Sequence, residues 1–306
     1  MNQDITNLGV AEDPRDQRER DRDYLHLASG SPVAWIEKPQ EEWKSYTERD
    51  QDGSLSCVAQ SAAKAFEIMS KGTVTSAHPI YRPRMNYPTG GMWLQNCGDI
   101  AKNAGTTTES LDVSQKIGEI EMNRDITVQT PQKVAGYVMV NPKDIDAIAE
   151  AIRTYGQCLM TFAGNRKEWD DVPRYNPSLK EDIRHCVCGV DFFLYNGKKC
   201  ILIEDSWGHT TTLGNGGQRI ITEDYLKARF FDAMYLIPKT FRFTRTLRYG
   251  SVGEDVRQMQ KILKITPDGI FGKATLAAVK NFQYHNGLSV DGVVGKNTQG
   301  VLMSLL

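Results

Sequence analysis

The hydrophobic period of this chain changes once, at Gly156, and that change sets the order of its elements. Before it, apolar residues recur at helical spacing. Ala59, Ala62, Ala63, Phe66 and Met69 follow Cys57 and run to Lys71, with Gly72 as the stop. A second helical pattern follows Gly90-Gly91 and passes through Ile100 to Gly105. Ile145, Ile148, Ile152 and Tyr155 share one face of a third, with Asn141-Pro142 as its N-cap and first residue and Gly156 as its end. Beyond Gly156 the period falls to two. Gln157–Ala163, His185–Tyr195, Lys199–Glu204 and Ala233–Ile237 are predicted strands, and Asn196-Gly197 is a hairpin turn. Helices first and strands later predict an α+β fold of two subdomains, one helical and one antiparallel β, with a cleft between them.

The end of the chain follows a different rule. Asp268-Gly269-Ile270-Phe271-Gly272-Lys273-Ala274-Thr275 recurs 23 residues later as Asp291-Gly292-Val293-Val294-Gly295-Lys296-Asn297-Thr298. Each copy is a turn, an apolar pair beneath it, and a helix start. With Val256, Met259 and Leu263 on a preceding helix, these residues predict a three-helix module at 248–306. A basic linker is expected at 239–247. Between Asp13 and Asp23 nine of eleven residues are charged, so residues 1–30 are expected to form a solvated tail, a tail lying across the cleft being the other reading, with 31–238 as the main domain.

A length of 306 residues fits about two domains of roughly 150. No apolar run approaches the ~20 residues of a membrane span, and Met1-Asn2-Gln3-Asp4 lacks the basic and apolar regions of a secretory signal. Cytoplasmic synthesis is therefore expected. The six cysteines, at 57, 97, 158, 186, 188 and 200, form no CxxC pair and suit a reduced state. Cys186 and Cys188 lie one and three residues beyond His185 on the strand, which places both on the face away from that imidazole and argues against a metal site. The net charge of −1 divides unevenly: from Pro238 onward ten Lys/Arg face four Asp/Glu, giving +6 and leaving −7 for the rest. A basic end on an acidic body points to an anionic surface as its partner.

Cys57 opens its helix, His185 lies on a strand, and Asp205 heads Asp205-Ser206-Trp207-Gly208. A thiol at a helix N-terminus, an imidazole and a carboxyl to orient it are the parts of an activated cysteine nucleophile. The helix dipole and an imidazolium both favour thiolate near neutral pH. The hairpin sets a condition on this trio. A strict two-residue turn at Asn196-Gly197 would place Asp205 opposite Cys188, on the face away from His185. Hydrogen bonding therefore requires either a wider loop or a β-bulge.

Taken in order, Gln51 with Ser56-Cys57, Gly90-Gly91, His185, and Ile203-Glu204-Asp205-Ser206-Trp207-Gly208 resemble the papain family of cysteine peptidases over residues 31–237. His185 and Asp205 lie 128 and 148 residues beyond the cysteine. The resemblance implies Cys57 as nucleophile, His185 as base and then acid, Asp205 as the group orienting it, and Gln51 as an oxyanion donor. It further implies that Trp207 shields the His–Asp hydrogen bond and that Gly90-Gly91 offers bare backbone to an extended substrate. The family usually carries Asn where this chain has Asp205, so Asp205→Asn is expected to keep substantial activity. Ser54 stands at the usual half-cystine and Val58 at the usual aromatic.

The C-terminal module resembles the peptidoglycan-binding domain of cell-wall hydrolases through Gly250, Gly253, Val256, Leu263, Asp268-Gly269-Ile270-Phe271-Gly272, Thr275, Val279, Phe282-Gln283, Gly287-Leu288 and Asp291-Gly292. Together the two resemblances imply an endopeptidase acting on peptidoglycan stem or cross-bridge peptides through a thioester, in the manner of a phage endolysin acting at the wall after release. Its partners would be peptidoglycan and peptide, with no cofactor, metal, nucleic acid or membrane insertion. A wall-anchored or virion-associated protease acting on proteins, and a non-catalytic wall-binding protein, are the other readings.

Overall fold

Six antiparallel strands form one sheet in the order β1-β6-β2-β3-β4-β5. They are β1 Val134–Val140, β2 Cys158–Gly164, β3 Ile183–Tyr195, β4 Lys198–Glu204, β5 Gln218–Thr222 and β6 Phe230–Pro238. The computed structural model describes residues 9–11, 14, 33–37, 48–128, 131–207, 217–239, 243 and 245–303. These divide into two compact units, residues 1–239 and 240–306.

Alternation along the strands supplies two faces, and each is covered by helices. Cys186, Cys188, Cys200, Leu202, Met234 and Leu236 point to one core, shared with α1 Cys57–Met69, α2 His78–Tyr81 and α3 Leu94–Asn103. Cys158, Met160, Phe162, Val187, Ile201 and Ile203 point to the other, covered by α4 Ile145–Tyr155 and α5 Glu223–Arg229. Cys186 and Cys188 thus lie on the face expected from their spacing. Strands β1 and β5 and helices α2 and α5 are additions to the elements expected from the sequence. β1 is also the one strand that precedes α4.

Helix α1 is buried on almost every side because its alanines let the sheet and its neighbours come close. Ser61 Oγ donates to the Cys186 carbonyl at 3.1 Å, tying α1 to β3. Three charged residues are buried at this contact. Lys64 Nζ lies 3.4 Å from Glu67 and 3.8 Å from Glu204. Burial pushes the Glu204 carboxyl up to about 7, against the pull of Lys64 and a hydrogen bond from Gln218.

The N-cap of α4 is Asp144, whose Oδ1 accepts from Ala147 N at 3.0 Å, in place of the expected Asn141. Asn141 instead makes the turn before it, accepting from Lys143 N through its side chain. The hairpin between β3 and β4 keeps a strict two-residue turn, with Asn196 and Gly197 both at positive φ. The register then shifts between Gly189 and Asp191, leaving Val190 as a bulge. Beyond the bulge Cys188 pairs with Glu204, so Asp205 shares the face of His185. Of the two expected solutions, the bulge is the one the fold adopts.

The second unit contains α6 Glu254–Ile262, α7 Lys273–His285 and α8 Lys296–Met303 around Leu247, Val256, Met259, Phe271, Val279, Val294 and Leu302. The 23-residue repeat reappears as two matching hydrogen-bond hubs. Gln260 Nε2 shares its two hydrogens among Asp268 Oδ1, the Ile270 carbonyl and Thr275 Oγ1, all within 3.0 Å, and its Oε1 accepts from Gly269 N. Gln283 repeats every contact with Asp291, Val293, Thr298 and Gly292. Part of the expected linker belongs to this unit. Leu247 pairs with Val294, and Arg245 bridges to Asp255 at 2.7 Å.

Candidate active site

β3 carries His185, and the turn after β4 carries Asp205. His185 Nε2 and Asp205 Oδ1 are 2.7 Å apart, and neither side chain is more than 1% exposed. Asp205 Oδ1 also accepts from Trp207 N at 3.2 Å. Its Oδ2 accepts from Trp169 Nε1 at 2.8 Å and from Arg219 Nε at 3.1 Å. Burial alone would raise this carboxyl, but His185, Arg219 and Trp169 outweigh it and hold it near 2. The group is therefore ionised, and an ionised acceptor at Nε2 places the imidazole proton there. Nδ1 is left as the basic nitrogen. It is buried, and among the described residues it has no hydrogen-bond partner.

The Trp207 ring stacks on His185 with centroids 3.9 Å apart and 23° between planes. Trp169 meets His185 edge-on at 6.5 Å. Sequence reasoning missed Trp169 and Arg219. The one signal for Arg219 was a charge within the apolar strand Gln218–Thr222, and it is 3% exposed.

Cys57 is the first residue of α1 and is fully buried. Burial pushes its thiol well above the ordinary range, and Cys186 and Asp205 push the same way. Hydrogen bonds to the backbone of Cys186 and Val58 pull it back only in part. The expected thiolate near neutral pH does not hold for this closed arrangement, because desolvation exceeds the help from the helix terminus. The cover comes from the N-terminal segment. Met92 N donates to the Gly9 carbonyl at 3.1 Å, and Ala11 N donates to the Met92 carbonyl at 3.2 Å, a parallel bridge centred on Val10. Val10 is 2% exposed and joins the core beside Cys57. This corrects the expectation of a solvated tail for Gly9–Ala11; the charged stretch from Arg15 to Gly30 lies outside the described residues.

Gln51 is anchored at both ends of its amide. Oε1 accepts from Ser206 Oγ at 2.6 Å, and Nε2 donates to the Ser54 carbonyl at 2.5 Å. The amide nitrogen has a second hydrogen, for which the described residues supply no acceptor. Gln51 also lines a pocket of about 430 Å³ with Asp50, Asp52, Arg166, Trp169 and Trp207. The Gly91 backbone is engaged internally: its N–H donates to Tyr81 Oη and its carbonyl accepts from Asn86 Nδ2. Met92, one residue later, is where the N-terminal segment pairs, while Gly90 is half-buried beside Leu55.

Solved structures resemble the larger unit in fold. Xylellain, a cysteine protease from Xylella fastidiosa, matches at a TM-score of 0.57 and 17% identity, covering 76% of this chain and 97% of that one. Procathepsin L 3 from the Tenebrio molitor larval midgut matches at 0.57 and 17%, covering 76% and 77%. The larger unit has a papain-like fold. Residues 252–302 match the family described as "Putative peptidoglycan binding domain". Among curated proteins, a spore cortex-lytic enzyme of Oceanobacillus iheyensis is 38% identical over 72 residues, 21% of this chain and 26% of that protein. A zinc D-Ala-D-Ala carboxypeptidase of Streptomyces albus G is 42% identical over 66 residues, 19% and 26%. The chain spans about a quarter of the length of these curated relatives. The chain thus joins a unit of papain-like fold to a module that matches this putative peptidoglycan-binding family. No helix among the described residues is long and apolar enough to cross a membrane.

Proposed function

We propose that the papain-like unit is a cysteine endopeptidase that hydrolyses amide bonds of peptidoglycan stem or cross-bridge peptides, with the module holding it on the wall. The observation that carries this is the His185–Asp205 pair. Its geometry leaves Nδ1 as a buried base, and the Cys57 thiol rests against the backbone of Cys186, the next residue.

In this mechanism Nδ1 takes the thiol proton as Sγ attacks the scissile carbonyl. The Cys57 N–H and the second Gln51 amide hydrogen face the developing oxyanion. Collapse returns the proton from His185 to the leaving nitrogen, releasing an amine and leaving a thioester. Water, deprotonated by the same nitrogen, then releases the acid and the free thiol. Asp205 stabilises the imidazolium formed in each half. The module raises the local concentration of substrate without adding catalytic contacts. A phage endolysin is the setting that joins these two parts most simply, supported by the architecture and by the wall-lytic names of the curated relatives.

The test compares purified cell walls with casein, using the wild type and Cys57→Ala. Mass spectrometry should find muropeptides cut at one amide, each gaining a new amine and a new carboxyl, with the wild type alone. Cleavage of casein with intact walls would favour the protein-directed reading. Wall cleavage by Cys57→Ala above a few per cent of wild type would overturn the nucleophile.

A further inference from the structure

The backbone that flanks the cleft turns one residue inward and the next outward. Gly91 is satisfied from behind: its N–H donates to Tyr81 Oη at 3.1 Å, and its carbonyl accepts from Asn86 Nδ2 at 3.0 Å. The reversal comes at Gly91 itself, whose φ of +75 suits glycine. Beyond it Met92 faces the cleft with both of its polar groups, its N–H on the Gly9 carbonyl and its carbonyl on Ala11 N. One residue supplies donor and acceptor together, so a guest chain of either direction meets the same pair. The presentation of Met92 is thus a property of the wall and not of the path taken by the N-terminal segment.

Gly91 has no side chain to hold this bend, and the hold comes from Tyr81 and Glu119. Tyr81, the last residue of α2, donates its hydroxyl to Glu119 Oε1 at 2.7 Å. Burial, and then the carboxylate beside it, push that hydroxyl far up, so it stays protonated as a donor. The ring is fixed by Arg84, whose buried guanidinium lies 3.9 Å over it, donates to the Tyr81 and Thr89 carbonyls, and stands 3.5 Å from Glu119 Oε1. The second oxygen of Glu119 accepts from Leu55 N at 2.8 Å. Leu55 is two residues before Cys57, and its side chain closes on Gly90, where a Cβ would overlap Leu55 Cδ1. One carboxylate therefore ties the loop before the thiol to the wall that carries Met92, through Leu55 N on one side and Tyr81 Oη and Gly91 N on the other.

We propose that Tyr81 and Glu119 are positioning residues for substrate: they hold the Gly91 amide away from the cleft and so present the Met92 N–H and carbonyl as the pair that binds an extended peptide. The proposal rests on the peptidase reading above and deepens it, with Met92 in place of Gly90-Gly91 as the backbone offered to substrate. Both residues act through the backbone of Gly91 and Leu55.

The first test needs no cleavage. Amide hydrogen exchange is followed in the full chain carrying Tyr81→Phe or Glu119→Gln. The first variant keeps the ring and removes the acceptor for Gly91 N; the second turns an NH₂ group toward either Leu55 N or Tyr81 Oη. In each, the Met92 and Ala11 amides should exchange at least about tenfold faster, while residues 62–66 of α1 keep their wild-type rates. The second test takes Val10→Asp, which places a charge on the buried anchor of the segment and releases it, as host and soluble muropeptides as substrate. Adding Tyr81→Phe to that host should raise KM at least about fivefold and leave kcat within about twofold, as when binding is lost equally from ground and transition state. Unchanged Met92 exchange in both variants would overturn the proposal, as would equal acceleration in α1, the mark of plain destabilisation. A fall in kcat with unchanged KM would overturn it too. A Val10→Asp host that cuts no muropeptide sinks the peptidase reading alone, and the exchange rates then decide the positioning.

Discussion

Asp205 accepts four hydrogen bonds and donates none, which changes what substitution there should do. His185 and Trp207 N address one oxygen, and Trp169 and Arg219 address the other. An asparagine offers one acceptor and one donor, so in either orientation its NH₂ faces two buried donors. The family analogy led to the expectation of a tolerated Asp205→Asn; the structure revises it. Asp205→Asn should lower stability by about 3–5 kcal/mol, the cost of stranding the buried Arg219 charge, and denaturant midpoints would measure this. A loss below about 1 kcal/mol would show that Arg219 finds another partner. Cys57, His185, Asp205, Gln51 and Trp207 were legible as site candidates because their chemistry is written in residue type and order. Trp169 and Arg219 were not. They act only by converging on one carboxylate from a loop 36 and a strand 14 residues away.

Between elements, the contact of α1 with β4 gives the protein a pH dependence. Glu204 has its carboxyl raised to about 7 by burial, so the folded state holds a proton that the unfolded chain releases near the ordinary value of about 4.3. Stability should therefore fall as pH rises from about 4.5 to 7 and be level above. Glu204→Gln should flatten that fall, as read from thermal midpoints across the range. A wild-type midpoint that rises over the same interval would mean that Lys64 dominates the group. In the smaller unit, each glutamine hub satisfies one buried backbone N–H, that of Gly269 or Gly292. Gln260→Ala and Gln283→Ala should each cost about 1–3 kcal/mol, since each leaves that buried N–H unpaired. A much smaller loss at one site would show that the repeat is symmetric in geometry and unequal in energy. The hubs were invisible as contacts, yet the Asp-Gly and Thr that they join were visible as a repeat.

At the scale of the whole molecule, the two units can be tested apart, because each has its own core. Residues 240–306 alone should sediment with purified walls, and the binding should weaken with salt. Raising ionic strength from 0.1 to 1 M shortens screening from about 10 to about 3 Å and should act on the +5 charge of this fragment, nine Lys/Arg against four Asp/Glu. A fragment that stays in the supernatant at low salt would remove the binding role. The amino-acid sequence by itself determined most of the helices and strands, the three-helix repeat and which residues are candidates for the site. These depend on local periodicity, turn chemistry and residue type. Only the tertiary structure decided that Val190 bulges, that Trp169 and Arg219 hold Asp205, and that Gly9 covers the thiol. Each of these depends on which distant segments share a surface, and that is settled by packing across the sheet, which no local pattern records.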